Sequence, residues 1–314
     1  MKHHILGTAL AVLALPAFAG DYTIMAPANP GGGWDSTART IQAVMQAEGI
    51  AENVEVINVG GAGGTVGLAQ FVSNSTGDPT QLIVGGYVMV GAILTNASPV
   101  SLADVTPIAR LTGEHVAIVV PASSELQTIG DLVAALQADP GSVSWAGGSA
   151  GGVDHITVGL LAQAAGVDPT AVNYVAFSGG GEAMAAILGA QVTAGVSGIG
   201  EFLPQVQAGT MRLLAVTSAE RLANAPDAPT LVESGYDVVV QNWRMIAAAG
   251  GLTDEQKAAI MADIEALNAS AGWAEALATN GWANTYLAGD EFAAQLEVEI
   301  ARTGEILRSI GLVQ

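Results

Sequence analysis

The residues best suited to chemistry in this chain lie in five glycine-rich turns. They are Gly31-Gly32-Gly33-Trp34-Asp35, Gly60-Gly61-Ala62-Gly63-Gly64-Thr65, Gly147-Gly148-Ser149-Ala150-Gly151-Gly152, Ser178-Gly179-Gly180-Gly181-Glu182 and Ser197-Gly198-Ile199-Gly200-Glu201. Glycine reaches positive φ and carries no Cβ, so successive backbone N–H groups can converge on one oxyanion. A helix that starts at such a turn adds about half a positive charge. One turn of this kind is an ordinary strand-to-helix connection in an α/β fold. Five, several flanked by Ser or Thr, point to a cleft that holds a small anion with main-chain donors.

Other chemistries fit the residues less well. Gly147-x-Ser149-x-Gly151 matches the nucleophile elbow of α/β-hydrolases, between a strand and a helix as that motif requires. The triad lacks its far-downstream histidine, because His115 precedes the serine and His155 follows it too closely. Ser149 reads better as a hydroxyl donor or N-cap in an anion loop. The Gly61-Ala62-Gly63 stretch has Val66 where a dinucleotide fingerprint needs glycine, and Lys257 follows no phosphate loop. Asp154-His155 is an isolated acid and imidazole pair, short of a metal site. No catalytic residue, metal or cofactor is therefore expected. Asp35 and Arg39 are spaced for an i, i+4 ion pair at a helix start. Trp34 fits either a lid over the cleft or core filler, and Arg244 fits either a ligand contact or a salt bridge at a hinge.

These turns must be positioned by the elements around them. Tyr22–Ala26, Val54–Val59 and Gln81–Val84 read as strands, while Ala38, Ile41, Val44 and Met45 share one helical face, and Leu68, Ala69, Phe71 and Val72 suggest a second helix. A second unit starts near Gly113, with strands at His115–Val120, Val143–Trp145, Val172–Val175, Val192–Val196 and Arg212–Val216. Its first helix has Thr128 as N-cap and Asp131 at N3, ahead of Ile129, Leu132, Val133 and Leu136. Pro226, Pro229 and Val238-Val239-Val240 suggest the chain crossing back. Thr253 with Gln256 resembles a capping box, and Glu291–Ile310 reads as a long helix stopped by Gly311. The expectation is a mostly parallel α/β sheet in two lobes, 20–112 with 226–314 and 113–225, joined by a hinge of two crossover segments around a closing cleft.

Composition narrows the partners. The chain has 314 residues, 50% of them hydrophobic, enough for a large core. Met1-Lys2-His3-His4, the apolar Ile5–Leu15 and Pro16-Ala17-Phe18-Ala19 form a secretory signal, with cleavage expected after Ala19. No later apolar run reaches the roughly 18 to 20 residues of a bilayer span. Cleavage would leave eight cationic against 29 acidic side chains, a field that repels nucleic acid and anionic membranes. Cysteine is absent, so there is no disulfide framework and no lipidated cysteine; a freely soluble periplasmic protein is expected.

The loops together resemble a known family. Pro27–Arg39, Gly60–Gly67, Ser144–His155 and Tyr174–Glu182, with the later Asn280-Gly281-Trp282, closely resemble the tripartite tricarboxylate transporter substrate-binding proteins, the TctC or Bug family. The likeness extends over essentially the whole mature chain. It implies a periplasmic two-lobe binding protein of the Venus-flytrap type, type II-like and monomeric. Such a protein captures an organic carboxylate and delivers it to a large and a small membrane subunit. Carried over by position, the resemblance places a proximal carboxylate at Asn29, Gly31, Gly32, Gly33, Trp34 and Asp35 and at Ala62, Gly63, Gly64 and Thr65. Ser149, Ala150, Gly151, Ser178, Gly179, Gly180 and Gly181 then stand opposite. The Gly31–Asp35 form looks like the citrate-binding branch, so a citrate-like tricarboxylate is the expected ligand. The alternative is a carboxylate sensor acting on a sensor kinase.

Overall fold

A computed structural model describes residues 20–177 and 180–314, and there the chain forms a ten-stranded sheet with ten helices packed on it. The expected signal segment, 1–19, lies outside the described residues. In chain order, β1 (Gly20–Ala26), α1 (Gly33–Ala47), β2 (Ala51–Asn58), α2 (Thr65–Ser75), β3 (Gln81–Gly86) and α3 (Tyr87–Thr95) alternate. β4 (Thr106–Pro121) leads through α4 (Ile129–Ala138) to β5 (Ser144–Gly147), α5 (Val153–Ala164), β6 (Asn173–Ala176), α6 (Gly180–Leu188), β7 (Ala194–Gly198), α7 (Ile199–Gln207) and β8 (Met211–Val216). The chain then returns as β9 (Gln241–Ala248), α8 (Asp254–Ala269), α9 (Ala271–Asn280), β10 (Ala283–Ala288) and α10 (Gly289–Ser309).

The sheet runs in the order β2-β1-β3-β9-β4-β7-β5-β6, with β8 and β10 also paired to β4. β4 is 16 residues long and belongs to two strand groups. Its first part, Thr106–His115, pairs with β9 and β10; its second, Val116–Pro121, pairs with β7 and β8. The expectation of a mostly parallel sheet is corrected here. β1, β2 and β3 are parallel, as are β5, β6 and β7, but every pairing of β4 is antiparallel, and so is that of β3 with β9. In the first group the cause is the return of the chain through β9, which lies between β3 and β4 and runs opposite to both; in the second, β7 and β8 run opposite to the far half of β4.

Two segments join the strand groups. One is β4 itself. The other leads from Thr217 to Val240 and into β9, and it is tied to β4 at the junction. The Thr217 hydroxyl donates to the Val240 carbonyl at 2.7 Å and accepts the Val116 N–H at 2.9 Å, while the Val240 N–H donates back to the Thr217 carbonyl at 3.1 Å. The C-terminal end of α10 crosses the same divide, since Ile310 packs within van der Waals reach of Gly159 on α5.

The helices form where the pattern places them. On α1 the apolar Ala38, Ile41, Val44 and Met45 are buried together. α4 and α8 both start with full capping boxes, Thr128 with Asp131 and Thr253 with Gln256, each contributing about 1 kcal/mol to its helix. α10 is followed by Gly311 at φ +74°, the left-handed stop that glycine provides. Trp145 of β5, Phe71 of α2, Trp273 of α9 and Phe292 of α10 fill the interior. Among the described residues no helix is long and apolar enough to cross a membrane.

Candidate functional site

The helices of this chain start in two different ways. α4, α8 and α9 carry side-chain caps from Thr128, Thr253 and Ser270. α1, α2, α3, α5 and α7 start instead from Gly32, Gly64, Gly86, Gly152 and Gly198, and no side chain caps them. A helix leaves its first N–H groups without intrahelical acceptors, so an uncapped start is a set of donors awaiting a partner. All five uncapped glycine starts contribute lining residues to one chamber, α3 through Val88. α10 also lacks a side-chain cap, but it is entered from Ala288, away from the chamber, and its first turn carries Asp290 and Glu291.

The chamber encloses about 720 Å³ of non-protein space, part of it open to solvent. One wall comes from the end of β1 and the starts of α1 and α2: Pro27, Ala28, Gly32, Gly33, Trp34, Gly61, Gly63 and Gly64. The facing wall comes from the starts of α5, α6 and α7, with Gly148, Ser149, Asp154, Gly180, Ser197 and Glu201. Val88, Val153, Phe177, Ala183, Asn242 and Arg244 complete it. The walls approach closely at their rims. A Cβ placed on Gly63 would lie 3.3 Å from that of Ser149, and Thr95 Oγ1 is 3.5 Å from the Ala150 carbonyl. Gly33, Gly180, Glu201 and Arg244 also line a second opening of about 1320 Å³.

Acids inside the loops hold them in shape. Asp35 Oδ2 accepts the Gly31 N–H at 2.9 Å, and its Oδ1 accepts from Arg39 and Asn58, both at 2.9 Å. Asn58 donates in turn to the Ala28 carbonyl at 3.1 Å. Burial raises the Asp35 pKa, but the donors Arg39, Gly31 and Asn58 outweigh it and hold the carboxyl below its ordinary value. Its charge is thereby spent within the loop. Around Gly147–Gly152 the same work falls to three side chains. Asp154 Oδ2 accepts the Gly148 N–H at 2.8 Å, His155 Nδ1 accepts the Gly151 N–H at 3.2 Å, and the Tyr174 hydroxyl donates to the Gly148 carbonyl at 2.8 Å. The His155 and Tyr174 rings stack at 4.1 Å. Burial pushes the His155 imidazole down to about 4, so it is neutral with its proton on Nε2.

A charge cluster forms the back of the chamber. Arg244 of β9 pairs with Glu114 of β4, both side chains being almost wholly buried. The guanidinium lies over the Trp282 ring at 5.3 Å. Gly33 makes room for it, because a Cβ there would overlap the guanidinium. Arg244 Nη1 and Glu114 Oε2 are buried without partners. Glu201 stands beside the pair and accepts from Ser197 Oγ at 2.9 Å. Burial and the neighbouring charge of Glu114 raise the Glu201 pKa. Burial also raises Asp154, to about 7, helped by the charges of Glu201 and Glu114 and opposed by the Gly148 N–H and Arg244.

Of the residues singled out from the sequence, Gly32, Gly33, Trp34, Gly63, Gly64, Ser149 and Gly180 line the chamber. Gly31 and Gly181 line the second opening. Asn29, Ala150 and Gly151 belong to the adjoining loops, Ala62 to a short 3-10 turn, and Asp35 and Thr65 to the first turns of α1 and α2; none of them lines either opening. Ser178 and Gly179 lie outside the described residues. The α5 N-cap is Gly152 rather than Ser149. Trp34 is buried, with a Cβ on Gly64 meeting its ring at 2.6 Å. Arg244 makes the salt bridge of the two alternatives and lines the chamber as well. Sequence reasoning missed Ser197 and Glu201 as lining, although both stand in the fifth glycine turn. Phe177 stands within the matching stretch Tyr174–Glu182 but was not singled out, and Asn242 and Val88 were not picked out as lining.

Two strand groups linked by two segments around a chamber of helix starts define a two-lobe solute-binding protein of the periplasmic type. The tripartite tricarboxylate transporter family receptor model, TctC, matches residues 37–312, and the chain belongs to that family. The BugT protein of Bordetella pertussis is 26% identical over 313 residues, spanning 96% of this chain and 94% of that protein. The fold is shared with the periplasmic binding protein BugD, at a TM-score of 0.84 and 22% identity over 93% of this chain and 98% of that one. It is shared also with MatC of Rhodopseudomonas palustris with bound malate, at 0.80 and 23% over 91% and 98%.

Proposed function

We propose that this protein is a periplasmic receptor that captures a citrate-like tricarboxylate, or a related organic acid, in the cleft between lobes 20–112 with 226–314 and 113–225. It would hand the ligand, chemically unchanged, to the large and small membrane subunits of a tripartite tricarboxylate transporter. The observation that carries this reading is the contrast between helix starts. Those that open on the chamber have glycine in place of a capping side chain, which suits a ligand carboxylate as the missing acceptor. Malate in the MatC neighbour supports a small carboxylate as the ligand class. Hydrolysis through Ser149 is disfavoured, because His155 Nδ1 is engaged by the Gly151 N–H and its ring by Tyr174.

A thermal-shift panel of citrate, malate, succinate, sugars, nucleotides and lysine tests the reading. A ligand at 100 times its Kd adds about 2.7 kcal/mol, and a carboxylate is expected to give that shift alone. Gly63→Val should abolish the shift, since a side chain there meets Ala92 and Ser149 at φ +62°. A melt raised only by neutral or cationic compounds would overturn the proposal.

A further inference from the structure

The two walls of the chamber are chemically unlike. The wall built on α1 and α2 presents backbone donors and no unspent acid, because Asp35 is committed to Gly31, Arg39 and Asn58. The facing wall presents two carboxylates, Asp154 and Glu201. The one cation lining the chamber among the described residues, Arg244, is already paired with Glu114. Asp154 is occupied by the Gly148 N–H. Glu201 is held only from one side, by the Ser197 hydroxyl on Oε2, and among the described residues no cation stands within ion-pair distance of it.

Its position is built. Glu201 lies in the first turn of α7 and lines both openings. Gly180 clears its path, because a Cβ there would sit 2.6 Å from Oε2. The groups packed around it are Glu114 from β4, Arg244 from β9, Asp154 from α5 and Ser197 from β7. With the Arg244–Glu114 pair neutral, this end of the chamber repels a second anionic group and offers the Glu201 carboxylate as an acceptor. A site whose buried polar groups are shaped for a particular partner discriminates strongly against analogues that lack it.

We propose that Glu201 is a specificity determinant that accepts a hydrogen bond from the ligand. The cleft then prefers organic acids presenting a hydroxyl or ammonium group opposite the bound carboxylate over unsubstituted acids of the same length. The inference rests on the carboxylate reading above. The unpartnered Arg244 Nη1, buried beside Glu201, adds a donor for an acceptor atom on the same ligand end, a combination of donor and acceptor that a hydroxy or amino acid carries and a plain alkyl chain does not.

Isothermal titration of the full-length mature protein with succinate, malate and aspartate, which share one four-carbon diacid frame, tests it at pH 8. Malate or aspartate is expected to bind at least about tenfold tighter than succinate. In Glu201→Gln that advantage should fall at least severalfold, most for aspartate, while succinate binds equally or more tightly. A wild-type titration repeated at pH 5.5 supplies a second readout that needs no variant: burial raises Glu201, so protonation should shrink the advantage of aspartate. Ser197→Ala, which removes the hydroxyl holding the carboxylate, should also narrow the preference. Succinate binding as tightly as both substituted acids, or a ranking unchanged in Glu201→Gln, overturns the inference and leaves the carboxylate reading standing. Failure of all three acids and of citrate to bind overturns both.

Discussion

Glu114 and Arg244 form a buried pair whose worth to the fold can be separated by experiment from its worth to binding. Moving a single charge into an interior costs several kcal/mol, and the pair survives there only because each partner offsets the other. Its side chains are 1% and 2% exposed, so solvent screening is negligible. Glu114→Gln would leave the guanidinium buried with a neutral neighbour and Glu201 as its nearest acid. Urea denaturation is expected to show a loss of about 3–5 kcal/mol. Replacing both residues together, Glu114→Met with Arg244→Met, should recover most of that loss, since an apolar pair of similar volume avoids the desolvation penalty. A loss below about 1 kcal/mol in the single variant would place the pair in the class of solvated surface bridges. Full stability of the double variant with altered ligand ranking would show that the charges are kept for binding rather than for folding.

At the scale of elements, the start of α5 couples its loop to pH through two neighbours of opposite sign. Asp154 titrates near 3.8 when unfolded and about 7 when folded, so the native state keeps a proton that the unfolded chain has lost. Stability from this group therefore falls as pH rises from about 4 to 7. His155 titrates near 6.5 unfolded and about 4 folded, so its contribution rises over pH 4 to 6.5. The two nearly cancel in wild type. In Asp154→Asn only the histidine slope remains. The stability of the variant minus that of wild type should climb by up to about 1.4 kcal/mol per pH unit between about 4 and 7, then level off. A constant difference across that range, measured by denaturant melts, would mean that Asp154 is ionised throughout. None of this was legible in Asp154-His155 as a dipeptide, because the partners Gly148, Gly151 and Tyr174 are brought in by the loop and by β6. The same limit explains the missed elements. β9 begins Gln-Asn-Trp-Arg, and its polar residues hide a strand whose neighbours on both sides bury it. α3, Tyr87–Thr95, is apolar almost all round and so has no helical stripe to read. β4 was visible only from His115 onward, because Pro107, Gly113 and Glu114 break its apolar pattern. What could be read were elements with one buried face, such as α1 and α4, and the glycine turns, whose backbone demands are written in the residue type itself.

For the whole molecule, the charge balance sets a test that separates main-chain recognition from a cationic clamp. The chain carries nine Lys and Arg against 29 Asp and Glu, so its long-range field repels a carboxylate. On the proposed reading, attraction comes from short range, from N–H groups at the starts of α1, α2, α5 and α7, within a chamber walled on two sides. Raising salt from about 0.1 to 1 M shortens the Debye length from about 10 to about 3 Å, which removes the distant repulsion while leaving contacts inside the chamber largely intact. At pH 8, the Kd for citrate is therefore expected to stay level or tighten with salt, and the on-rate to hold or rise, with a bulky anion as co-ion so that chloride does not compete. Arg39 provides the opposite expectation. Its side chain is 51% exposed and only partly paired with Asp35, so a site relying on it would weaken steeply under the same change. Stopped-flow and equilibrium titrations across the salt series distinguish the two. A loss of both affinity and on-rate with salt would assign the attraction to exposed cations, and the uncapped helix starts would then be left without the ligand that their geometry calls for.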